Sequence, residues 1–372
     1  MTQNHSTVPR QLPSEELFLY AERMKGSGFF GKLADSELFA VRIGEDILYC
    51  RAQDKNGLVV YCGLLGLFSY LKAVQLANES DEGSINTVEP EVTEDCVKCL
   101  FVDRKELDDW DYRSIIFAGR KYRGKQAWPV FRRARPLRYP WYIDEDDEKT
   151  LIQAMDAATE FAEMRETKGY WEIMHEALGR PLDAEDFIAG GMSIHKSIPM
   201  FVKTGEGKYE LSYLKLPDHI DEHFTAPILS NDHEIARLRG RIRTDVTLQC
   251  AITCPPMPIR HEAGDAPYIP LALIMVAVRE TPKSYVADTV AIELALDYEG
   301  GVGRWMSVFC AYIEKYGRPR AVVTNEYRTE HLLKKLCAQL GIRFTYQKGA
   351  LRELDDAIRG LQDHMLNRNI EE

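Results

Sequence analysis

The chain has 372 residues, of which 45% are hydrophobic and 28% are charged, and its formal net charge is −11. This composition is typical of a globular protein of two or three domains, and the acidic balance argues against non-specific nucleic-acid binding by the whole chain. No apolar run reaches the roughly 18 residues that span a bilayer, and the first residues lack the pattern of a signal peptide. We therefore expect a cytoplasmic protein with no membrane partner and with eight reduced cysteines.

The first part of the chain predicts an α+β domain over residues 1–166. Ser14 is predicted to cap a helix, because acidic residues and then helically spaced apolar residues follow it. Gly26, Gly28 and Gly31 match GxGxxG, but they follow a helix, which favours a helix end over a dinucleotide loop. Asp144 is predicted to cap a second long helix. Strands are predicted at 38–42, 47–51, 57–62 and 95–102.

A basic and aromatic stretch at 120–142 is the most unusual part of the sequence. Eight basic residues and no acidic residue lie between Arg120 and Arg138, and five acidic residues follow at 144–148. The stretch fits phosphate or nucleic-acid binding, with arginines for charge and aromatic rings for stacking. The alternative is a structural role, in which the aromatic rings pack in the core and the arginines pair with acidic residues. The Trp-Pro and Tyr-Pro-Trp sequences favour this alternative, because they are typical of rigid packing corners. The candidate binding residues are Trp128, Arg132, Arg133, Arg135, Arg138 and Trp141.

Residues 167–262 predict a middle region with a hairpin at 192–203 and 209–216 and a strand at 245–252. His219 and His223 match the HxxEH pattern of zinc peptidases, but prolines bracket a segment of barely two helical turns. Cys250 and Cys254 have a loose metal-ligand spacing. A solvated loop with local hydrogen bonds and buried free thiols are favoured over metal binding at these residues, so no metal or other cofactor is predicted.

Residues 263–372 predict an α/β domain with a mixed sheet and the element order β-β-β-α-β-α-β-α. Strands are predicted at 269–278, 284–286, 289–296, 320–324 and 342–346, and helices at 303–316, 330–340 and 351–365. This order is that of the ribonuclease H-like fold.

A nuclease or phosphodiesterase on this fold would need carboxylates that converge on divalent metal ions. The candidates are Glu280, Glu326 and either Asp355 or Asp356. The strand taken as the first, 271–278, contains no acid. The sequence therefore favours a non-catalytic version of the fold.

Residues Gly124-Lys-Gln-Ala-Trp-Pro-x-Phe-Arg132, followed by Tyr139-Pro-Trp141, resemble the N-terminal domain of a bacterial two-domain family of unknown function. Gly317-Arg-Pro-Arg-x-Val322 and Leu340-Gly-Ile342 resemble its second domain. The resemblance implies a two-domain architecture and no catalytic residues.

These observations together favour a non-catalytic binding or regulatory protein whose candidate partners are nucleic acid or another protein. A metal-dependent nuclease and a protein-interaction scaffold stay open as alternatives.

Overall fold

The computed structural model describes residues 12–34, 37–53, 56–79, 92–181, 196–205, 207–217, 224–255, 259, 266–281 and 284–371. Contacts divide the chain into two compact units. Unit 1 comprises Met1–Gln75, Thr93–Pro136 and Pro140–Ile220, and unit 2 comprises Leu76–Val92, Leu137–Tyr139 and Asp221–Glu372. None of the helices in the described ranges is long and apolar enough to cross a bilayer.

Unit 1 is built on a seven-stranded mixed sheet. Its strands are β1 Leu38–Ile43, β2 Asp46–Gln53, β3 Gly57–Cys62, β4 Cys96–Val102, β5 Trp128–Ala134, β6 Ser197–Lys203 and β7 Tyr209–Lys215. Its helices are α1 Glu15–Gly26, α2 Phe29–Lys32, α3 Gly63–Glu79, α4 Asp109–Phe117, α5 Glu145–Met164 and α6 Tyr170–Leu178, with a 3-10 turn at Arg104–Glu106. The order is β5-β4-β3-β2-β1-β6-β7, and the β1–β6 pair is parallel.

The predicted helix starts in unit 1 are confirmed. The Ser14 hydroxyl accepts a hydrogen bond from Leu17 N at 3.2 Å, and Asp144 accepts from Asp146 N and Asp147 N. Phe39 of β1 stacks on Phe161 of α5 with ring centroids 4.8 Å apart, so α5 covers one face of the sheet. Gly26 ends α1, as the helix-end interpretation of the glycine motif expects.

Unit 2 is built on a five-stranded mixed sheet. Its strands are β8 Thr247–Thr253, β9 Leu271–Thr281, β10 Ser284–Ala295, β11 Ala321–Thr324 and β12 Arg343–Tyr346. Its helices are α7 Asp232–Arg239, α8 Tyr298–Tyr316, α9 Tyr327–Leu340 and α10 Arg352–Glu371. The order is β10-β9-β8-β11-β12. Strands β8, β11 and β12 are mutually parallel, whereas β9 is antiparallel to both β8 and β10.

The structure assigns the predicted middle region 167–262 to both sheets. Its hairpin is β6 and β7, which complete the sheet of unit 1, and its strand is β8, which lies at the centre of the other sheet. The first strand of unit 2 is therefore β8 and not the segment at 269–278, which is the second strand. The two strands predicted at 284–296 form one strand, β10, whose register shifts between Thr289 and Ala291.

The basic and aromatic stretch contributes to both units. Leu137–Tyr139 groups with unit 2, where Tyr139 N donates to Pro267 O at 3.0 Å and Leu137 O accepts from Ile269 N at 2.9 Å. The residues on either side of it, which include β5, belong to unit 1. The stretch therefore contributes backbone structure to each of the two units.

Candidate functional site

Arg132, a predicted binding residue, is held by carboxylates within unit 1. Its two terminal nitrogens donate to the two oxygens of Asp111 at 2.7 and 2.6 Å, and one of them lies 3.2 Å from Asp108. Its guanidinium also lies 5.0 Å from the centre of the Tyr142 ring. Burial alone would lower the pKa of Arg132, but the hydrogen bonds and charge of Asp111 outweigh burial and raise that pKa.

The neighbouring arginines of the stretch also have partners. Arg133 lies 2.5 Å from Asp95 and 3.3 Å from Asp147, and its side chain is mostly buried. Arg135 is half exposed and lies 3.8 Å from Asp144. Arg138 stacks on the Tyr268 ring, 4.0 Å from its centroid, and donates to the Tyr268 hydroxyl. The acidic run at 144–148 thus supplies partners for two of the four arginines.

The two tryptophans of the stretch pack within unit 1. Trp128 is 8% exposed, and its ring lies 5.8 Å from that of Tyr122. Trp141 pairs with the backbone of Arg133 and packs its ring 5.2 Å from Tyr142. Trp128 is therefore part of the hydrophobic core of unit 1, and Trp141 packs at the margin of that core.

Glu326, a nuclease candidate, uses both carboxylate oxygens at the start of α9. One oxygen accepts from Arg328 N and Nε at 2.9 and 3.2 Å, and the other accepts from Thr329 N and Oγ1, both at 2.8 Å. Burial lowers the pKa of Arg328 to about 10. Glu326 is therefore a helix cap with a buried arginine beside it.

The other acidic candidates of unit 2 lie on α10, which carries Asp355 and Asp356, and on β9, which carries Glu280. Asp356 pairs with Arg359 at 3.3 Å, and burial raises the pKa of Asp355. Glu280 lies in β9 opposite Tyr285, and only its backbone is described. Strand β8 contains no acid, and its Gln249 donates to Glu353 at 3.1 Å and accepts from Leu354 N at 3.0 Å. Gln249 therefore ties β8 to the first turn of α10.

Of the four candidate metal ligands, only the two cysteines lie in the described residues. His219 and His223 lie outside the described residues. Cys250 and Cys254 are buried thiols in the core of unit 2, and burial raises the pKa of Cys250 well above its usual value. Across the described ranges, no group of three or more His, Cys, Asp or Glu side chains could hold a metal ion.

A cluster of arginines that the sequence did not predict lies where β8, β11 and β12 begin. Since these strands are parallel, their amino ends meet at one edge of the sheet. The backbone pairing continues before the strands: Arg318 N donates to Ile242 O at 2.9 Å, and Thr244 N donates to Arg318 O at 2.8 Å. Arg343 opens β12 directly opposite Ala321. We call this cluster the arginine edge: Arg239, Arg241, Arg243, Arg318 and Arg343.

Backbone carbonyls orient three of these side chains. Arg318 donates from Nε to Arg241 O and from Nη1 to Leu340 O, both at 3.2 Å. Arg239 donates to Gln339 O at 2.5 Å, and Arg243 donates to Arg320 O at 3.4 Å. A guanidinium has five N–H donors, so each side chain keeps donors for another acceptor.

Carboxylates are not part of this cluster. In the portion of the chain that the structure describes, none of the five arginines forms an ion pair, and four of them are exposed. Arg237 and Arg279, by contrast, pair with Glu314 and Asp245. The arginine edge is therefore a concentration of uncompensated positive charge in an acidic chain.

One signal in the sequence could have found part of this edge. Arginine recurs at every second position from Arg237 to Arg243, and a second pair, Arg318 and Arg320, surrounds Pro319. Each segment alone is a short basic run. Only the parallel pairing of Arg243 with Arg318 joins them.

The two mixed sheets define a two-domain α+β protein, and comparison with known families agrees with this division. Residues 15–177 match the family described as Domain of unknown function (DUF7309), and residues 234–362 match that described as Domain of unknown function (DUF6930). The chain thus belongs to a two-domain family of unknown function, as the resemblance in its sequence implied. No curated protein matches the chain.

One solved structure with a detectable likeness is the cryo-EM structure of the simian T-cell lymphotropic virus intasome in complex with PP2A regulatory subunit B56 gamma. The match has 18% identity and a TM-score of 0.20, and it covers 36% of this chain and 45% of that chain. The chain thus spans less than half of the length of the solved chain. A TM-score this low supports no conclusion about fold or function.

Proposed function

We propose that the chain is a non-catalytic nucleic-acid-binding protein that uses the arginine edge of unit 2. The observation that carries the proposal is the convergence of five arginines without ion pairs, within the described residues, at one sheet edge of a chain with net charge −11. In the described residues no carboxylate forms an ion pair with any of them. Their charge is thus available for the phosphates of a polyanion, whose neutralisation releases counterions.

The side chains at this edge favour nucleic acid over an acidic protein segment. All five cations are arginines, whose planar fork matches phosphate oxygens with two parallel hydrogen bonds. Ile242 and Tyr316 lie beside them in the chain and are 82% and 48% exposed, which offers apolar and aromatic contact with sugars and bases. An acidic protein segment would require positive charge at this edge, but it would not require arginines that are spread over three adjacent chain segments.

The proposal includes a ribonuclease H-like fold for unit 2. The strand order β10-β9-β8-β11-β12, with an antiparallel meander followed by two parallel strands, supports it. A nuclease on this sheet is the weaker alternative, because Glu326 is engaged as a helix cap and Gln249 lies where β8 would supply an acid. A cytoplasmic setting completes the proposal, and eight free thiols support it.

The test measures the affinity of labelled single-stranded and duplex DNA and RNA across salt concentrations by fluorescence anisotropy. A triple variant, Arg241→Ala with Arg243→Ala and Arg343→Ala, should weaken single-strand binding about tenfold or more. It should also reduce the slope of log K against log salt by about 2, because roughly 0.7 counterions are released per phosphate. Arg318 is left intact because it holds two backbone carbonyls.

The matched control removes the same charge elsewhere in unit 2, with Arg304→Ala, Lys348→Ala and Arg359→Ala. All three residues are exposed. Circular dichroism melts of both variants confirm folding. Equal losses in the two triples, or no binding at low salt, would refute the proposal. If polyglutamate at equal charge concentration displaces the nucleic acid, the proposal is wrong and the ligand of the arginine edge is an acidic protein segment.

A further inference from the structure

A second basic surface lies on unit 1, around the exposed side of α4. Tyr112 and Phe117 on this helix are 40% and 72% exposed, although large aromatic side chains are usually buried in a core. Arg113 lies four residues before Phe117, and Tyr112 lies four residues before Ile116, which is 53% exposed, so each of these pairs is adjacent on the helix surface. The helix therefore exposes two aromatic rings on one face, with Arg113 and Ile116 between them.

Further cations adjoin the helix. The Arg104 guanidinium lies 5.6 Å from the Tyr112 ring and 5.8 Å from the Trp128 ring, so it is held between two aromatic faces. After α4 the chain turns back, with Arg120 N donating to Ile115 O at 3.0 Å. The exposed Lys121 and Arg123 follow this turn. We call these residues the α4 surface: Arg104, Tyr112, Arg113, Phe117, Lys121 and Arg123.

The charge of this surface is not compensated locally. None of its four cations forms an ion pair with a carboxylate in the described ranges, whereas the adjacent Arg120 pairs with Glu15 and Glu22. Several nearby acids are already engaged: Asp103 accepts from Gln126 N at 2.7 Å, and Asp108 and Asp111 hold Arg132. The exposed Asp109, one turn before Arg113, is the remaining acid of this helix, so the surface keeps a net positive charge. A ligand for this surface must therefore supply negative charge and flat or apolar groups.

We infer that the α4 surface binds unpaired bases of single-stranded nucleic acid. Phe117 and Tyr112 would each stack on a base, and the cations around them would contact the flanking phosphates. The inference rests on the proposed function, because it names the class of nucleic acid that the protein binds, but it uses a different surface. An acidic protein segment fits less well, since flat bases match both the aromatic rings and the stacked Arg104 guanidinium.

The experiment compares an oligothymidylate of about 15 nucleotides with a duplex of the same length. Phe117→Ala and Tyr112→Ala should each weaken single-strand binding by roughly fivefold or more, the lower end of aromatic–base stacking, and should leave duplex binding unchanged. Phe117→Trp should retain affinity, and the fluorescence of the new indole should be quenched on binding. Leu65→Ala is the control, because Leu65 is 78% exposed on the same unit and should have no effect.

The outcomes separate this inference from the proposed function. If the arginine-edge variant loses affinity but Phe117→Ala binds both probes normally, only the inference about the α4 surface fails. Equal loss of single-strand and duplex binding in Phe117→Ala, or an unquenched indole in Phe117→Trp, also overturns it. Loss of single-strand binding in Phe117→Ala with no effect of the arginine-edge variant supports the inference and refutes the arginine edge as the binding site.

Discussion

Glu94 is the carboxylate at the centre of a buried charged cluster in unit 1. Its two oxygens accept hydrogen bonds from the Tyr61 hydroxyl and from Lys98 Nζ, each at 2.5 Å, and Arg51 lies 3.5 Å away. The side chains of Glu94, Lys98 and Arg51 are 6%, 11% and 15% exposed. Because two cations share one carboxylate, removing that carboxylate would leave both cations largely buried without an anionic partner.

Glu94→Gln should therefore lower the free energy of unfolding by about 3–5 kcal/mol at neutral pH, the usual cost of breaking a buried pair. Urea unfolding measures the change. Glu145→Gln is the matched control, because Glu145 is 64% exposed and pairs with Lys149 on the helix surface; it should cost less than about 1 kcal/mol. Similar costs for the two variants would mean that the Glu94 cluster contributes nothing beyond a surface pair.

The stability difference between wild type and Glu94→Gln should also depend on pH, in a direction that the pKa of Glu94 determines. Burial alone would raise the pKa of Glu94, but Lys98, Tyr61 and Arg51 together outweigh burial and lower that pKa. A carboxyl with a depressed folded pKa stabilises the protein above its unfolded pKa of about 4.3, and loses this contribution as the pH falls through the folded pKa. The stability difference between wild type and Glu94→Gln should thus be constant from about pH 7 to 5 and shrink below about pH 4. A difference that grows on acidification contradicts this account.

At the scale of the elements, Gly317 joins α8 to the arginine edge in a backbone conformation that favours glycine. Its φ is 94°, and a Cβ atom at this position would collide with Ile242 O, which accepts from Arg318 N. Gly317→Ala should therefore cost about 1–3 kcal/mol. In Gly303→Ala, by contrast, the new Cβ meets nothing within 4 Å on the exposed side of α8, and the higher helix propensity of alanine should stabilise by up to about 1 kcal/mol. Thermal unfolding of both variants tests this pair, and a neutral Gly317→Ala would refute it.

The elements that sequence patterns predicted well depend on local interactions. Ser14 and Asp144 bind backbone groups within three residues of themselves, so their helices could be recognised without the rest of the chain. Strand β8 was recognised as a strand but placed in a middle region. Its parallel neighbour β11 begins more than 70 residues later, and no local pattern specifies that pairing.

The candidate sites follow the same division. The sequence showed that the arginines at 132–138 are close in the chain, but not that Asp108 and Asp111 of a preceding helix neutralise Arg132. At the arginine edge the fold has the opposite effect: it brings Arg243 and Arg318 together from segments that are distant in the sequence. Charge clusters in the sequence and charge clusters on the surface therefore overlap only in part in this protein.

At the scale of the whole molecule, each unit has hydrophobic clusters of its own. The largest cluster of unit 1 includes Phe39, Phe161 and Phe201, and that of unit 2 is built around Trp305 and Phe309. Trp305 is fully buried, and its indole donates to Glu293 O at 2.9 Å. The other four tryptophans, Trp110, Trp128, Trp141 and Trp171, all lie in unit 1. Tryptophan fluorescence can therefore report on the two units separately.

Because the clusters are separate, we expect the two units to unfold in separable transitions. In a Trp305→Phe background the fluorescence reports on unit 1 alone. Adding Glu94→Gln there should lower the urea midpoint, whereas adding Gly317→Ala should leave it unchanged, since Gly317 lies in unit 2. In the protein that retains Trp305, Gly317→Ala should instead shift the part of the signal that Trp305 contributes. A shift of the unit 1 midpoint by Gly317→Ala would mean that the chain unfolds as one cooperative body, because a substitution in an independent unit changes only the stability of that unit.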